Sequence, residues 1–215
     1  MSSEPSKLER FDEALRSHYR ADRLVGVDEA GRGPLAGPVV AACVALPATP
    51  LPELVEVRDS KRLSPAKRGE LFRVIRRKAL GVGVGWALSG EIDERNILKA
   101  TLSSMARALG RVDLSPSDLL VVIDGDRRVP GLSCRQEALV QGDAYSLSIA
   151  SASIVAKFVR DRWMSVLDRR YPGYGFCRNM GYGTEEHFKA LERLGPCPIH
   201  RRSFLRTYLE PALPL

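Results

Sequence analysis

Long apolar segments are missing from this sequence: no uninterrupted apolar run among its 215 residues approaches the ~20 that a membrane-spanning helix requires. Residues 1–20 are polar and charged, so nothing at the start resembles a signal peptide. Internal repeats and low-complexity linkers are also missing. These absences predict a soluble, cytoplasmic protein that forms one domain over residues 1–215, with enough chain to bury a proper core.

Cysteine is scarce, and its spacing excludes the common metal motifs. The four residues Cys43, Cys134, Cys177 and Cys197 contain no CxxC pair. We interpret them as reduced, mostly structural thiols of a cytosolic protein. Cys197 and His200 have a C-x-x-H spacing, but no second pair completes a zinc site, so the sequence disfavours zinc binding there.

The net charge of +7 is unevenly distributed. Residues 58–78 contain nine bases and two acids, and residues 160–206 contain ten bases and five acids. The rest of the chain is therefore net acidic. Two basic regions around an acidic centre indicate a nucleic-acid groove with a metal site in it, and the alternative is a set of ordinary solvated helix faces.

Apolar segments predict five strands, at residues 24–28, 38–46, 81–88, 119–123 and 138–141. Helical spacing and capping residues predict helices at 8–19, from Ser64 and Pro65 onward, and at 92–109, 145–171 and 184–194. Three adjacent strands followed by strands with longer connections favour an α/β fold with a mixed sheet flanked by helices. A C-terminal helical extension is expected from about residue 172.

Four acidic residues lie where predicted strands end: Asp28 and Glu29 at the end of the first, Asp124 at the end of the fourth and Asp143 just past the fifth. Strand ends that lie side by side would gather these carboxylates into one cleft. Neighbouring side chains on a regular strand point to opposite faces, so Asp28 and Glu29 share a site only if the chain bends there. A cation must offset the repulsion, and hard oxygen ligands favour Mg²⁺ or Mn²⁺. For each acid alone, a structural cap or salt bridge is the alternative.

A short turn with two glycines follows the first strand, and we call Gly31, Arg32 and Gly33 the glycine–arginine turn. Glycine lets backbone groups approach a nucleic acid closely, and the guanidinium can bind phosphate. The alternative interpretation is a plain turn with an incidental charge.

Several segments of the chain resemble the motifs of the type 2 ribonuclease H family (ribonuclease HII), in the right order and over residues 24–204. Besides residues 26–38 they are Asp59-Ser60-Lys61, Glu91-Ile92-Asp93, Asn96-Ile97, Ile123-Asp124-Gly125, Gly142-Asp143, Ala152-Ser153-Ile154-Val155-Ala156-Lys157, Gly181-Tyr182-Gly183-Thr184 and His200-Arg201-Arg202-Ser203-Phe204. Each motif is weak alone, but the ordered set is highly specific. The resemblance implies a ribonuclease H-like fold with a five-stranded sheet.

The resemblance also implies an activity: an endoribonuclease that cuts the RNA strand of RNA/DNA hybrids and incises 5′ of single ribonucleotides in duplex DNA. The implied cofactors are Mg²⁺ or Mn²⁺, two ions with substrate bound, and the implied protein is a monomer. The family's catalytic and metal-binding acids map onto Asp28, Glu29, Asp124 and Asp143. Its substrate-binding residues map onto Gly31, Arg32, Gly33, Ser60, Lys61, Ser153, Lys157 and Tyr182.

Two residues depart from the family pattern: Met180 stands where relatives often carry lysine, and Asp126 stands where asparagine is common. Neither belongs to the four acids, so affinity rather than activity is affected. Two other functions stay open at this point, another ribonuclease H-like nuclease such as a resolvase or integrase, and a non-catalytic hybrid-binding module. The type 3 relatives usually carry an additional N-terminal domain, which we do not expect in this chain.

Overall fold

A computed structural model describes residues 4–57, 63–112 and 119–209 of the chain. The strands are β1 (Arg23–Ala30), β2 (Val39–Ala45), β3 (Gly81–Ala87), β4 (Leu119–Asp124) and β5 (Arg135–Leu139). The helices are α1 (Lys7–Tyr19), α2 (Pro65–Lys78), α3 (Ser89–Arg95), α4 (Ile97–Leu109), α5 (Leu147–Arg170), α6 (Phe176–Asn179), α7 (Glu185–Leu194) and α8 (Arg202–Leu209). Within these residues, no helix is long and apolar enough to cross a membrane.

The five strands form one mixed sheet in the order β3-β2-β1-β4-β5, which confirms the predicted fold class. Strands β3, β2 and β1 are antiparallel neighbours, and β1, β4 and β5 run parallel. The parallel register pairs Val27 of β1 with Ile123 of β4. The next residue on each strand is an aspartate, so Asp28 and Asp124 lie side by side where the pairing of β1 with β4 ends.

Helices cover both faces of the sheet. On one face, Ala42 and Val44 of β2 pack in a cluster with α2 and the first half of α5. On the other face, Ala41 and Cys43 pack in a cluster with α4. Strand β2 is therefore buried along its whole length, as its continuous apolar sequence predicts.

Helix α4 lies unusually close to β3 because two strand glycines leave room for it. A Cβ atom placed on Gly83 would lie 2.1 Å from the Ala108 carbonyl oxygen, and one on Gly85 would lie 2.1 Å from that of Ser104. The alternating Val82, Val84 and Trp86 point to the opposite face. The glycine-on-one-face pattern of β3 is thus a helix-docking surface.

The single helix predicted at residues 92–109 is wrong, because the structure divides it into α3 and α4 at Asn96. This residue has a positive φ of 67°, which ends α3. Its side-chain oxygen accepts a hydrogen bond from the Lys99 amide at 3.1 Å and thereby caps α4. The apolar spacing continues across the break because Ile92 and Ala100 are buried in one cluster, and this continuity hides the break in the sequence.

Two strand boundaries also differ from the prediction. Strand β1 continues two residues beyond Asp28, because it stays paired with β2 as far as Ala30. Strand β5 lies at Arg135–Leu139 rather than at 138–141, since its pairing with β4 begins at Arg135. Beyond α5, helices α6 to α8 form the C-terminal extension and pack on Met164 and Ala36 through a separate apolar cluster.

Candidate active site

A cleft with a volume of about 480 Å³ opens at the edge of the sheet where β1 and β4 end. It brings together all four acids predicted from the sequence. Its lining consists of Asp28, Glu29, Ala30, Gly31, Arg32, Gly33, Arg68, Asp124, Asp143, Ser153, Lys157, Arg160 and Tyr182. We refer to it below as the cleft.

Asp28 and Glu29 both line the cleft although neither leaves the strand. Strand β4 pairs with β1 only as far as Val27, so the last residues of β1 have no neighbour on that side. The cleft begins at this gap, and side chains from both faces of β1 reach it. Our expectation that the chain must bend between the two acids is therefore wrong.

Asp124 holds the loop that carries Asp143. One Asp124 carboxylate oxygen accepts a hydrogen bond from the Gly142 amide at 2.7 Å, and Gly142 begins a short 3₁₀ turn with Asp143 at its centre. The preceding residue, Gln141, has a positive φ of 57°, which turns the chain back toward β4. Asp143 thus reaches the cleft from a loop rather than from a strand end.

The electrostatics around Asp28 favour a bound cation. The side chain is only 6% exposed, and this burial, followed by the nearby charges of Glu29 and Asp124, raises the pKa of Asp28 well above its usual range. Hydrogen bonds from Ser153 and from the Glu29 amide partly offset that rise. Carboxylates that are held close together despite burial and mutual repulsion are typical of a site that binds a divalent cation.

The donor set also fits a hard cation. The cleft lining contains four carboxylates and neither histidine nor cysteine, which suits Mg²⁺ or Mn²⁺ better than zinc. Within residues 4–57, 63–112 and 119–209, no three such side chains already converge as ready-made metal ligands. The acids surround a cavity instead, with one oxygen each of Asp28 and Asp124 accepting a backbone N–H.

One face of α5, which packs directly on the sheet, forms another wall of the cleft. Ser153, Lys157 and Arg160 lie at successive helical turns and all reach the cleft. Ser153 is buried and hydrogen-bonds to Asp28, so the structure places it beneath an acid. The Lys157 ammonium donates to Asp161 at 2.7 Å.

Asp161 joins this wall to α2. Its second oxygen accepts a hydrogen bond at 2.8 Å from Arg68, a buried residue of α2 whose guanidinium also donates to the Leu63 carbonyl. Sequence reasoning missed Arg68 because nothing near it in the chain marks it as different from the other bases of α2. The guanidinium of Arg68 places a positive charge at the edge of the cleft.

The glycine–arginine turn and Tyr182 lie side by side. A Cβ atom placed on Gly33 would be 3.7 Å from a ring carbon of Tyr182, whose side chain is 47% exposed. Arg32 is about half exposed, and its guanidinium lies 3.3 Å from a Glu29 carboxylate oxygen. Gly31 has a φ of +95°, and a Cβ there would lie 2.0 Å from the Arg160 side chain, so this position accepts only glycine.

Two buried arginines, which sequence reasoning also missed, hold this turn and the residues after it. Arg160 donates hydrogen bonds to the carbonyls of Ala36, Pro38 and Met180. Arg201 donates to those of Gly31, Arg32 and Gly37. The i, i+4, i+7 spacing of Ser153, Lys157 and Arg160 could have identified the first. Arg201 belongs to the motif at residues 200–204, but no local signal shows that it contacts this turn.

The remaining predicted positions lie elsewhere. Ser60 and Lys61 fall outside the described residues. Asp126, one of the two departures from the family pattern, is exposed, pairs with Arg127 and does not line the cleft. The Met180 side chain packs against the apolar cluster of the extension.

Comparison with known proteins supplies independent evidence on the family. The sequence profile of the family described as ribonuclease HII matches residues 25–207. Ribonuclease HII of Geobacillus kaustophilus is 52% identical over 201 residues, which cover 91% of this chain and 75% of that protein. Ribonuclease HII of Syntrophotalea carbinolica is 52% identical over 202 residues, which cover 93% of each protein.

Solved structures agree with the sequence comparison. The crystal structure of ribonuclease H2 from Pyrococcus horikoshii superimposes with a TM-score of 0.71 at 27% identity, covering 84% of this chain and 93% of that one. A ribonuclease HIII structure described as a complex with Mn²⁺ has a TM-score of 0.62 at 19% identity, covering 89% and 67%, and shows a shared fold alone. With a family profile over most of its length and relatives at 52% identity, this chain belongs to the ribonuclease HII family.

Proposed function

We propose that this protein is a metal-dependent endoribonuclease that hydrolyses the RNA strand of RNA/DNA hybrids and incises 5′ of single ribonucleotides embedded in duplex DNA. One observation carries the proposal: the cleft combines four carboxylates with the glycine–arginine turn and Tyr182. The carboxylates suit phosphodiester hydrolysis. The turn and the tyrosine suit recognition of a ribose, which a nuclease acting on plain DNA would not need.

The acids would hold the metal cofactor. Asp28, Glu29, Asp124 and Asp143 supply the oxygen ligands for Mg²⁺ or Mn²⁺, and we propose two ions with substrate bound. When bound by these acids, the ions would supply activation of the attacking water and charge stabilisation at the leaving oxygen of an in-line displacement. The water oxygen forms the new bond to phosphorus and the bond to the 3′-oxygen breaks, which leaves a 3′-hydroxyl and a 5′-phosphate.

The other residues of the cleft position the substrate. Arg32 is exposed enough to leave its ion pair with Glu29 and to pair with a substrate phosphate instead. Backbone groups of the glycine–arginine turn can reach a 2′-hydroxyl, and the exposed ring of Tyr182 can pack against the adjoining sugar. Lys157, at the α5 wall, adds positive charge beside the acids.

We further propose that the protein acts as a monomer in the cytoplasm. Its four cysteines are free thiols, as expected in a reducing compartment.

A cleavage assay on three duplexes tests the proposal: one with a single embedded ribonucleotide, an RNA/DNA hybrid, and a DNA duplex of the same sequence. With Mg²⁺ we expect cutting of the first two, with 5′-phosphate products, and no cutting without the metal. Cutting of the all-DNA duplex would instead support a resolvase-like or integrase-like nuclease. Binding of the hybrid without cleavage under either metal would support a non-catalytic module.

A further inference from the structure

The segment that contains His200 and Arg201 lies directly against the residues that follow the glycine–arginine turn. His200 forms an antiparallel bridge with Ala36, and the Arg201 amide donates to the Leu35 carbonyl at 2.8 Å. On its other side, the Leu35 amide donates to the Gly181 carbonyl at 2.8 Å. Residues 35–36 therefore connect the His200 segment to the loop that carries Tyr182.

Arg201 is fully buried, and its four hydrogen bonds go to three backbone carbonyls, those of Gly31, Arg32 and Gly37, at 2.6–3.1 Å. Burial and the neighbouring Arg160 lower the pKa of Arg201 to about 9, so the guanidinium stays charged at neutral pH. A buried cation is costly, and its planar fork fixes the three carbonyls in one arrangement. An apolar residue could fill the same space but could not hold the turn.

His200 acts on the other loop through a second histidine. The Cys197 amide lies 2.9 Å from His200 Nδ1, the two Nε2 atoms of His200 and His187 are 3.0 Å apart, and His187 Nδ1 is 2.8 Å from the Tyr182 carbonyl oxygen. Both rings are buried. Tyr174 and Phe176 pack around both of them.

The direction of this chain of hydrogen bonds follows from its two ends. A carbonyl only accepts, so His187 carries its proton on Nδ1 and donates to Tyr182, which leaves Nε2 of the neutral ring as an acceptor. His200 must then donate from Nε2 and accept at Nδ1, where the Cys197 amide supplies the donor at 2.9 Å. The Cys197 carbonyl oxygen also lies 3.2 Å from Nδ1, but it accepts a hydrogen bond from the His200 backbone amide at 3.0 Å. Burial lowers the pKa of both rings, that of His200 to about 4, so both are neutral at pH 7 as the chain of bonds requires.

We propose that His200 and Arg201 form one positioning element that holds the two ribose-contacting groups of the cleft at a fixed spacing. Arg201 fixes the glycine–arginine turn through its carbonyls, and His200, through His187, fixes the backbone of Tyr182. This inference rests on the proposed function, because it assigns the origin of ribose selection within the same site.

The proposal predicts a selective defect. Among the described residues, Asp28 and Asp124 lie on strands of the sheet and make no hydrogen bond to either histidine or to Arg201, so loosening the two loops leaves these two acids in place. A long hybrid offers many positions at which the protein can bind a ribose, whereas a duplex with a single embedded ribonucleotide offers only one such position. Loss of positioning should therefore reduce cutting at single ribonucleotides more than cutting of long hybrids.

Two amide substitutions at His187 separate the hydrogen bond from the packing. His187→Asn places its amide at the Nδ1 position and can still donate to the Tyr182 carbonyl, whereas His187→Gln places it near Nε2 and cannot. Arg201→Lys keeps the positive charge but loses the planar guanidinium that bonds to three carbonyls at once. His18→Gln, at an exposed histidine, and Arg135→Lys, at an exposed arginine that also donates to a carbonyl, are matched controls.

The measurement is kcat/KM with Mg²⁺ on the single-ribonucleotide duplex and on the long hybrid, taken well below each variant's unfolding temperature. We expect the ratio of the two to fall about tenfold or more for His187→Gln and Arg201→Lys, in line with the cost of misplaced substrate-positioning groups. His187→Asn keeps the bond to the Tyr182 carbonyl but loses the contact with His200, so its ratio should lie between those of His187→Gln and wild type. Both controls should keep the wild-type ratio.

Equal ratios for His187→Gln and His187→Asn, or equal losses on both substrates for Arg201→Lys, would overturn the inference. If a His187 variant does not fold, Arg201→Lys still tests the proposal, and if Arg201→Lys does not fold, the two His187 variants still test it. The two sets of variants are independent of each other. The wild-type protein tests the proposed function separately: if it cuts neither substrate, that function is wrong whatever the variants do.

Discussion

The cleft is built from two regions that hold their functional groups in different ways. Asp124 ends β4, and Asp28 lies on β1 directly after the last residue that pairs with β4, so the sheet itself places both acids. The glycine–arginine turn and Tyr182 lie on loops, held by side chains of Arg201 and His187. The position of these two acids thus depends on the pairing of the sheet, and the position of the turn and of Tyr182 depends on polar contacts that single substitutions can remove.

The largest expected effect comes from neutralising a strand-borne acid. Asp28→Asn or Asp124→Asn should lower cleavage by about 10²–10³-fold or more, as expected for loss of electrostatic stabilisation. The unfolding temperature should stay the same or rise, because Asp28 is buried beside Glu29 and Asp124 and the substitution relieves their repulsion. Single-turnover cleavage with Mg²⁺ and thermal unfolding measure the two quantities.

Asp126→Asn is the matched control for these variants, since Asp126 is exposed and outside the cleft, and it should cut normally. Near-full activity of Asp28→Asn or Asp124→Asn with Mg²⁺ would show that the strand-borne acids do not hold the metal.

A smaller and more selective effect is expected in the loop-borne region. Tyr182→Ala should lose most cutting at a single embedded ribonucleotide and less on long hybrids, because in the proposed function the exposed ring packs against the sugar next to the ribose. Tyr182→Phe keeps the ring and should stay close to wild type. The comparison uses matched substrates at one salt concentration, and an equal loss on both substrates would mean that Tyr182 is only a packing residue.

Substrate binding as a whole should depend on salt. Arg73, Arg76 and Arg77 are exposed on α2, and Arg32 is half exposed at the cleft. Basic side chains that contact phosphates release counterions, so affinity should fall about tenfold or more between about 50 and about 200 mM salt. Binding of a hybrid by a catalytically inactive Asp28→Asn variant can be followed by fluorescence anisotropy, and a flat salt dependence would exclude the basic regions as the binding surface.

The smallest expected effect is on stability at mildly acidic pH. The unfolded state binds protons on His187 and His200 near pH 6.5, whereas burial keeps the folded rings neutral down to about pH 4 for His200. The two neutral rings therefore contribute fully to the free energy of unfolding above about pH 6.5, and this contribution is lost as the pH falls toward 4. Each kcal/mol lost should lower the unfolding temperature by about 2–4 °C.

Asp28 acts in the opposite sense, because a carboxyl with a raised pKa favours the folded state as the pH falls. The histidine contribution is therefore taken as the difference between wild type and His200→Gln. If the unfolding temperatures of the two proteins changed in parallel between pH 7 and pH 5, the buried pair would not be neutral in the folded state.

The four acids could be predicted from the sequence because strand periodicity is local. Each acid follows an apolar segment that is long enough to indicate a strand, and strand ends meet at the edge of a sheet. The same local reasoning failed at Asn96, where apolar spacing continues through a helix break, and at Glu29, where the gap beside β1 decides which side chains reach the cleft.

What the sequence alone determined here is the fold class, the acidic centre and, through its ordered motifs, the family. Only the tertiary structure decided how the loops of the cleft are held. The hydrogen bonds from Arg201 to Gly31 and Arg32 join residues 170 and 169 positions apart. The hydrogen bond from His187 to Tyr182 depends on His200, which contacts the other nitrogen of the His187 ring. No local pattern encodes such bonds, because a backbone carbonyl is the same at every residue and only the folded chain determines which arginine it meets.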